Sequence, residues 1–177
     1  MEPGMASYPR PPVLSLVVAV LLGLTACGET QGDPVHMAVT AYEGAIEPVL
    51  LEQENISKLF VAITLDKMDP DQAIAQIKGQ AVPQSRALLE RLQGFQISEP
   101  TVQALHQTLI EAASLRVEGY QAMVEGYETK NMDLFFEGRE KVTKSKILEE
   151  TYVGKLDQLA SSYGVRIDFF AVPANTQ

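Results

Sequence analysis

Residues 105–127 read LHQTLIEAASLRVEGYQAMVEGY, and this stretch decides the fold. Its apolar side chains recur at intervals built from three and four residues, at Leu105, Leu109, Ala113, Tyr120, Val124 and Tyr127. Apolar residues at these intervals form a stripe along one face of an α-helix, and that stripe packs against neighbouring helices. No comparable alternation with a period of two occurs before residue 164. The sequence therefore predicts an all-α fold.

Three other segments carry the same periodicity. Their stripes consist of Val39, Tyr42, Ile46, Val49, Ile56, Phe60 and Ile63 in the first segment, Ile74, Ile77, Ala81, Leu88 and Leu92 in the second, and Phe135, Val142, Tyr152, Leu156 and Leu159 in the fourth. Connections of about two to six residues place consecutive helices side by side and antiparallel. We therefore predict an up-down-up-down four-helix bundle over residues 34–164.

The starts of the four helices are marked by residues that cap helix N-termini. Asp33 and Asp69 each precede a proline, which is the pattern of an N-cap followed by proline at the first helical position. Ser98 is the predicted cap of the third helix, and Asp133 is that of the fourth. These four positions set the expected boundaries of the bundle.

Glycines and prolines mark the other boundaries. Gly94 and Gly164 stand where a left-handed C-terminal cap is expected. Pro48 and Pro83 fall inside the first two helices, and we expect each of them to kink or interrupt its helix. Residues 165–177 are predicted to form a short extended tail that lies on the bundle.

The tetrapeptide VEGY occurs twice in the third helix, seven residues apart, so its members return to nearly the same face. The repeat places Gly119 and Gly126 in the helix interior, where a glycine costs about 1 kcal/mol relative to alanine. Close approach of a neighbouring backbone near Gly138 would compensate, with Tyr120 and Tyr127 in the core. The alternative is that Gly119, Tyr120, Gly126 and Tyr127 line a groove for a partner peptide or an apolar ligand. A cavity beside the two tyrosines would favour ligand binding.

The first 26 residues have the layout of a secretory signal peptide. Arg10 precedes an apolar run from Val13 to Leu24, and two small residues follow before the single cysteine, Cys27. A run of 12 residues is short for a membrane span, which needs about 20. The alternatives are an uncleaved membrane anchor and an ordinary signal peptide with an incidental cysteine.

The segment Leu24-Thr25-Ala26-Cys27 resembles the lipobox of bacterial lipoproteins. The resemblance implies cleavage by signal peptidase II between Ala26 and Cys27, and acyl chains on Cys27 that anchor the protein in a membrane. Two or three acyl chains give stable anchoring, whereas one chain binds only marginally. Residues 27–33 are then a lipidated flexible tether. Since Gly28 rather than aspartate follows the cysteine, the resemblance indicates the outer membrane of an envelope that has one.

Composition and motifs limit the possible functions of the folded part. The net charge of −9 and the lack of a basic cluster argue against nucleic-acid binding, which needs a lysine- and arginine-rich surface. Neither His36 nor His106 has a glutamate three residues before it, as the ligands of a carboxylate-bridged di-iron centre would require. The chain also lacks a glycine-rich phosphate loop. We therefore expect a protein that is not an enzyme and has no cofactor.

The leading hypothesis is a membrane-anchored lipoprotein that binds or scaffolds another protein of the cell envelope. The alternative is a helical bundle that binds a small ligand or a cofactor. Haem is the most specific version of this alternative. Met37 near the start of the first helix and His106 in the third resemble the methionine and histidine that hold iron in four-helix b-type cytochromes.

Overall fold

The computed structural model describes residues 33–65 and 68–167 of the 177-residue chain. These residues form α1 (Pro34–Leu65), α2 (Pro70–Gln76), a π-helical segment (Ile77–Ala81), α3 (Val82–Gln93), α4 (Pro100–Glu128) and α5 (Met132–Ser162). No strand occurs in these ranges, so the all-α prediction is confirmed. The predictions for the signal peptide, Cys27 and residues 27–32 of the tether lie outside the described residues.

The helices form the predicted four-helix bundle. α2, the π-helical segment and α3 follow one another without a break and make up the second of four helical runs. α3 joins α4 through residues 94–99, and α4 joins α5 through residues 129–131, so each helix returns antiparallel to the one before it. His36 in the first turn of α1 donates a hydrogen bond to the carbonyl of Tyr163 after α5 (3.2 Å), which ties the start of the first helix to the end of the last.

The stretch that opened the sequence analysis forms the centre of the molecule. α4 packs against every other helical element, and its contact with α5 is the most extensive in the described part of the bundle. Leu105, Leu109, Ala113, Tyr120 and Val124 are all buried in the core. The prediction that this periodic stretch organises the bundle is therefore confirmed.

Two of the four predicted N-caps are present. The Asp33 carboxylate accepts a hydrogen bond from the N–H of Val35 (2.9 Å). The Asp69 carboxylate accepts one from the N–H of Asp71 (2.9 Å). In both cases the proline at the first helical position has no N–H to satisfy, so the cap serves the next free donor.

The other two predicted N-caps are wrong by one and two residues. Glu99, not Ser98, caps α4 and accepts a hydrogen bond from the N–H three residues further on (2.7 Å). Because the next residue is a proline, residue 99 must be extended, and that is the backbone conformation of an N-cap. Asn131, not Asp133, caps α5. Asp133 lies inside the first turn, where its negative charge faces the positive end of the helix dipole.

Of the two glycines predicted to end helices in the left-handed conformation, only Gly164 does so. Its φ is +69°, and the N–H of Val165 donates to the carbonyl of Ala160 (2.9 Å), which completes a Schellman motif. Gly94 has φ −77°, so that prediction is wrong. Its N–H instead donates to the carbonyls three and four residues back, both at 3.2 Å, and the last turn of α3 tightens without a left-handed residue.

Lys130 takes the left-handed conformation at the end of α4, with φ +59°. Its N–H donates to the carbonyl of Tyr127 (3.2 Å), and the N–H of Asn131 donates to the carbonyl of Gly126 (2.8 Å). This is again a Schellman motif. Because Asn131 also caps α5, the turn between the two long helices needs only three residues.

The prolines act differently in the two helical runs. α1 continues through Pro48 as one helix, so the expected interruption does not occur there. The carbonyl that loses its donor there belongs to Gly44, which is exposed and has open space around it. In the second run the predicted interruption is present as a widened turn. The N–H of Val82 donates to the carbonyl of Ile77, five residues back, directly before Pro83.

The first three residues of the predicted tail are not helical. Val165 and Ile167 are half-buried and pack against the core, as expected for a segment that lies on the bundle. Residues 168–177 lie outside the described residues. Within the described ranges, none of the helices has both the length and the apolar character that crossing a membrane requires.

Candidate ligand-binding groove

The glycines of the VEGY repeat bring α4 and α5 into backbone contact. A Cβ atom on Gly119 would lie 2.7 Å from the carbonyl oxygen of Gly138, and one on Gly138 would lie 2.6 Å from the carbonyl oxygen of Gly119. A Cβ atom on Gly126 would lie 2.4 Å from the backbone nitrogen of Phe135. These positions exclude any side chain larger than hydrogen. The predicted close approach near Gly138 is confirmed, and Gly119 and Gly126 therefore do not line a groove.

A groove does lie beside this tight pair of helices, between the second half of α1 and the middle of α5. It has a volume of about 720 Å³ and is named here the α1–α5 groove. Its apolar lining comes from Leu50, Phe60, Val61, Tyr120, Val142 and Val153. Its polar lining comes from Gln53, Glu54, Ser57, Arg116, Thr143, Lys146, Glu149 and Glu150. The volume lies within the range of about 300–1,000 Å³ that is typical of small-molecule sites.

Arg116 of α4 is the most unusual residue in this lining, because only 3% of it is exposed. Its Nη2 atom donates to the Oε1 atom of Glu149 and forms a buried ion pair. The hydroxyl of Ser145 donates to the same carboxylate oxygen (3.2 Å). Burial lowers the pKa of Arg116, but a guanidinium stays protonated in proteins. Glu149 therefore neutralises a charge that would otherwise be costly to bury.

The other terminal nitrogen of Arg116, Nη1, is buried and has no hydrogen-bond partner among the described residues. The side-chain oxygen of Gln53, Oε1, is in the same situation, and only 6% of Gln53 is exposed. A buried polar group without a partner costs about 1–3 kcal/mol. Both residues line the same groove, which thus contains one unpaired donor and one unpaired acceptor.

The charges on the groove walls are largely paired. Glu149 is bound to Arg116, Glu150 lies 3.9 Å from Lys146, and Glu54 lies 2.7 Å from Lys58. The exposed pairs contribute little to stability. Their consequence is electrostatic, because the walls present no unpaired positive charge that would attract an anion. Because Glu149 balances the charge of Arg116, the unpaired N–H of Arg116 and the unpaired oxygen of Gln53 offer hydrogen bonds in surroundings without a net positive charge.

Phe60 and Tyr120 form the apolar part of the groove. Their rings pack with centroids 5.2 Å apart, and Tyr120 is almost fully buried. Phe60 also lines a second cleft, of about 270 Å³, which we call the Phe60 cleft. Its other lining residues are Ile63, Met68, Pro70, Ala73, Ile74, Ile77, Met123, Tyr127, Phe135 and Arg139. Phe60 is therefore shared by the α1–α5 groove and the Phe60 cleft.

The two predicted tyrosines both line cavities, although in different places. Tyr120 lies in the wall of the α1–α5 groove, and Tyr127 lies in that of the Phe60 cleft. The Tyr127 hydroxyl donates to the Asp71 carboxylate (2.7 Å), and this hydrogen bond raises the pKa of Tyr127. Of the four residues predicted for a groove, the structure thus places the tyrosines at cavities and the glycines at the contact between α4 and α5.

A second buried polar cluster surrounds His106, near the start of α4. The His106 Nε2–H donates to the carbonyl of Leu92 (2.9 Å), because a carbonyl only accepts. In neutral His106 the Nδ1 atom must then accept, and it does so from the hydroxyl of Tyr42 (2.9 Å). The Tyr42 oxygen in turn accepts from the hydroxyl of Tyr152 (2.9 Å). Burial lowers the pKa of His106 and raises those of both tyrosines, which keeps the whole chain uncharged.

This cluster bears on the expectation that His106 and Met37 hold haem. Both ring nitrogens of His106 are occupied by hydrogen bonds within the protein. The ring of Phe95 also packs against the imidazole, with centroids 5.2 Å apart. Met37 lies at the surface and is 54% exposed. In this arrangement neither residue presents a ligand atom to a shared site, so the geometry gives the haem version of the hypothesis no support.

Sequence reasoning missed Arg116 and Gln53, although a signal for both was present. Arg116 stands between Ala113 and Tyr120 at the three- and four-residue spacing of the core stripe. Gln53 stands four residues after Val49 in the same way. A polar residue at a core position of an apolar stripe is a better pointer to a site than the glycines beside it.

No known protein family, curated protein or solved structure matches the chain. Across residues 33–65 and 68–167, no group of three or more histidine, cysteine, aspartate or glutamate side chains is placed to hold a metal ion. The case for a function therefore depends on the geometry of the groove and on the N-terminal sequence.

Proposed function

We propose that this protein is a bacterial lipoprotein, anchored through acyl chains on Cys27, whose helical bundle binds an amphipathic small molecule in the α1–α5 groove. The observation that carries the binding function is the pair of buried, unpaired polar atoms, Arg116 Nη1 and Gln53 Oε1, on residues of a groove whose wall combines apolar side chains with largely paired charges. Small-molecule sites combine an apolar lining with a few such polar groups.

The anchor is supported by the sequence Leu24-Thr25-Ala26-Cys27 after an apolar run. We expect cells that express the protein to incorporate labelled fatty acid into it, and the Cys27→Ser variant to lose the label. Equal labelling of the two forms would contradict the anchor. Fractionation of the same cells would then show whether the acylated form is in the outer membrane, as the glycine at position 28 suggests.

Binding in the groove is supported by the free-energy cost of leaving the buried polar atoms of Arg116 and Gln53 without hydrogen-bond partners. An amphipathic molecule would give partners to Arg116 and Gln53 and would cover the exposed side of Val61, half of which is accessible to solvent. Binding rather than catalysis is favoured because His106, a residue that could transfer a proton near pH 7, has both nitrogens engaged away from the groove.

Native mass spectrometry of protein purified from its own envelope tests this function. We expect a bound small molecule on the wild-type protein and none on Ser57→Trp, because Ser57 lines the groove and the indole would fill it. The matched control is Ser161→Trp, which changes an exposed serine of α5 and should keep the ligand. If wild type and Ser57→Trp carry the same species, or neither carries any, the proposed function is wrong.

A second candidate function, binding of another envelope protein, is favoured by an exposed apolar face on α5. Met132, Phe136 and Ile147 are 47%, 52% and 57% exposed, and their spacings of four and eleven residues place them on one side of the helix. Exposed apolar residues grouped in this way are typical of interaction surfaces. A photocrosslinker at Phe136 should capture one reproducible partner that a crosslinker at Lys155, an exposed residue of the same helix, does not capture.

A further inference from the structure

We infer that the ligand of the α1–α5 groove has an uncharged amide head group and an apolar chain that continues past Phe60 into the Phe60 cleft; this inference rests on the proposed function. The head group is identified by what the two unpaired atoms lack. Arg116 Nη1 is a donor and needs an acceptor, and Gln53 Oε1 is an acceptor and needs a donor. An amide supplies a carbonyl oxygen and an N–H next to one another.

The charges around these two atoms select against ionised head groups. A carboxylate could accept from Arg116, but it has no proton for Gln53, and it would lie beside Glu149, whose charge already balances that of Arg116. An ammonium group could donate to Gln53, but it would bring an unbalanced positive charge into a poorly solvated site, where burial disfavours charged groups. A neutral donor–acceptor group satisfies both atoms without either conflict.

The direction of the apolar chain follows from Phe60. Phe60 lines both cavities and packs against Tyr120, which lies on the same helix as Arg116. On the side of the Phe60 cleft, the neighbouring apolar lining residues are Ile63, Ile74 and Met123. A chain that passes Phe60 would bury its methylene groups against them, and burial of apolar surface favours binding.

Four probes with the same chain test the head group by isothermal titration calorimetry on the full folded domain. They are decanamide, N,N-dimethyldecanamide, decanoate and decylammonium, each below its aggregation limit. We expect decanamide to bind about tenfold or more tightly than each of the others, which corresponds to one hydrogen bond of about 1.4 kcal/mol. N,N-dimethyldecanamide is the sharpest comparison, because it keeps the carbonyl and loses only the N–H that Gln53 requires.

The variant Gln53→Met tests the assignment of that donor. It keeps the length of the side chain and removes the unpaired oxygen, so decanamide and its dimethyl form should bind it within about twofold of each other. The unliganded variant should also be at least as stable as wild type, which shows that the change does not act by unfolding the domain. Gln103→Met, at an exposed position of α4, is the control and should keep the tenfold preference.

The outcomes distinguish an error in the head-group assignment from a failure of the proposed binding function. If decanoate or decylammonium binds as tightly as decanamide, the amide assignment is wrong while the groove remains a binding site. If all four probes bind wild type and Ser57→Trp equally, the groove is not the site and the proposed function fails with it. If Phe60→Ala leaves the affinity for decanamide unchanged and the preference intact, the path of the chain past Phe60 is wrong.

Discussion

At the scale of single residues, a backbone carbonyl determines the direction of every hydrogen bond in the cluster around His106. Leu92 accepts from Nε2, so Tyr42 must donate to Nδ1 and Tyr152 must donate to Tyr42. Tyr42 is therefore the central member and Tyr152 the terminal one. The two tyrosines are both buried and differ mainly in how many partners depend on them.

This direction predicts unequal effects of two similar substitutions. Tyr42→Phe leaves both His106 Nδ1 and the Tyr152 hydroxyl unpaired, and we expect it to lower the free energy of unfolding by about 2–4 kcal/mol. Tyr152→Phe removes one donor and leaves the remaining bonds intact, so its expected cost is about 1 kcal/mol. Urea unfolding of the two variants measures the difference. Equal costs, or a greater cost for Tyr152→Phe, would show that the cluster has another hydrogen-bond order.

His106 also predicts a dependence of stability on pH. Its pKa is lowered in the folded protein from the ordinary value of 6.5, because burial disfavours the charged form. Below about pH 6.5 the unfolded chain binds a proton that the folded chain does not, so the free energy of unfolding should fall as the pH falls, by at most about 1.4 kcal/mol per unit. Above that pH this contribution is constant.

Denaturant unfolding between about pH 7 and about pH 5.5 measures this slope while most carboxylates stay ionised. The slope should be present in wild type and should be lost in His106→Gln. If His106→Gln keeps the wild-type slope, the histidine does not titrate as its buried position requires.

At the scale of the helices, α4 and α5 form the most closely packed pair of the bundle, because glycines remove the side chains between them. The glycines at 138 and 154 are on the same helix and have opposite surroundings. A Cβ at Gly138 would lie 2.7 Å from the backbone nitrogen of Met123, whereas one at Gly154 would meet nothing within 4 Å. The same substitution should therefore have opposite effects at the two positions.

Gly138→Ala is expected to destabilise the protein by about 1–3 kcal/mol or more, because the two backbones must separate. Gly154→Ala is expected to stabilise it by about 1 kcal/mol, because alanine favours the helix and nothing opposes it. Thermal unfolding of the two variants beside wild type measures both signs. A stabilised Gly138→Ala variant would mean that α4 and α5 are not in backbone contact.

The boundaries of these helices show what local sequence determines. Asp33 and Asp69 were identifiable as caps because a proline directly follows each of them. Glu99 follows the same rule and was missed, since glutamate is a less common cap than the serine before it. The left-handed Lys130 has no signal in its own residue type. Its conformation is imposed by the short connection between two long helices.

At the scale of the whole molecule, the fold could be predicted because one periodic pattern occurs in all four helical runs. The groove could not, because it depends on how far α1 lies from α5. Periodicity gives the buried face of each helix but not the distances between helices. The residues that carry the site, Arg116 and Gln53, occupy core positions of their stripes, and only the packing shows that they are left without partners.

Two of the three buried polar side-chain atoms that lack a hydrogen-bond partner among the described residues, Arg116 Nη1 and Gln53 Oε1, belong to residues of the α1–α5 groove, and the third is Ser85 Oγ in α3. Elsewhere the buried tyrosines and histidine satisfy one another, and the glycines close the contact between α4 and α5. A ligand that enters the groove would complete the core, so its binding should raise the stability of the domain with the logarithm of its concentration once that concentration exceeds Kd.

The most direct test of this central claim is quenching of a single tryptophan by decanamide brominated on its chain. The natural sequence has no tryptophan, so Val61→Trp places a unique reporter on the groove wall and Met37→Trp places one at the exposed start of α1. We expect saturable quenching of the reporter at position 61 and none at position 37. Equal quenching at both positions, or none at position 61, would contradict it.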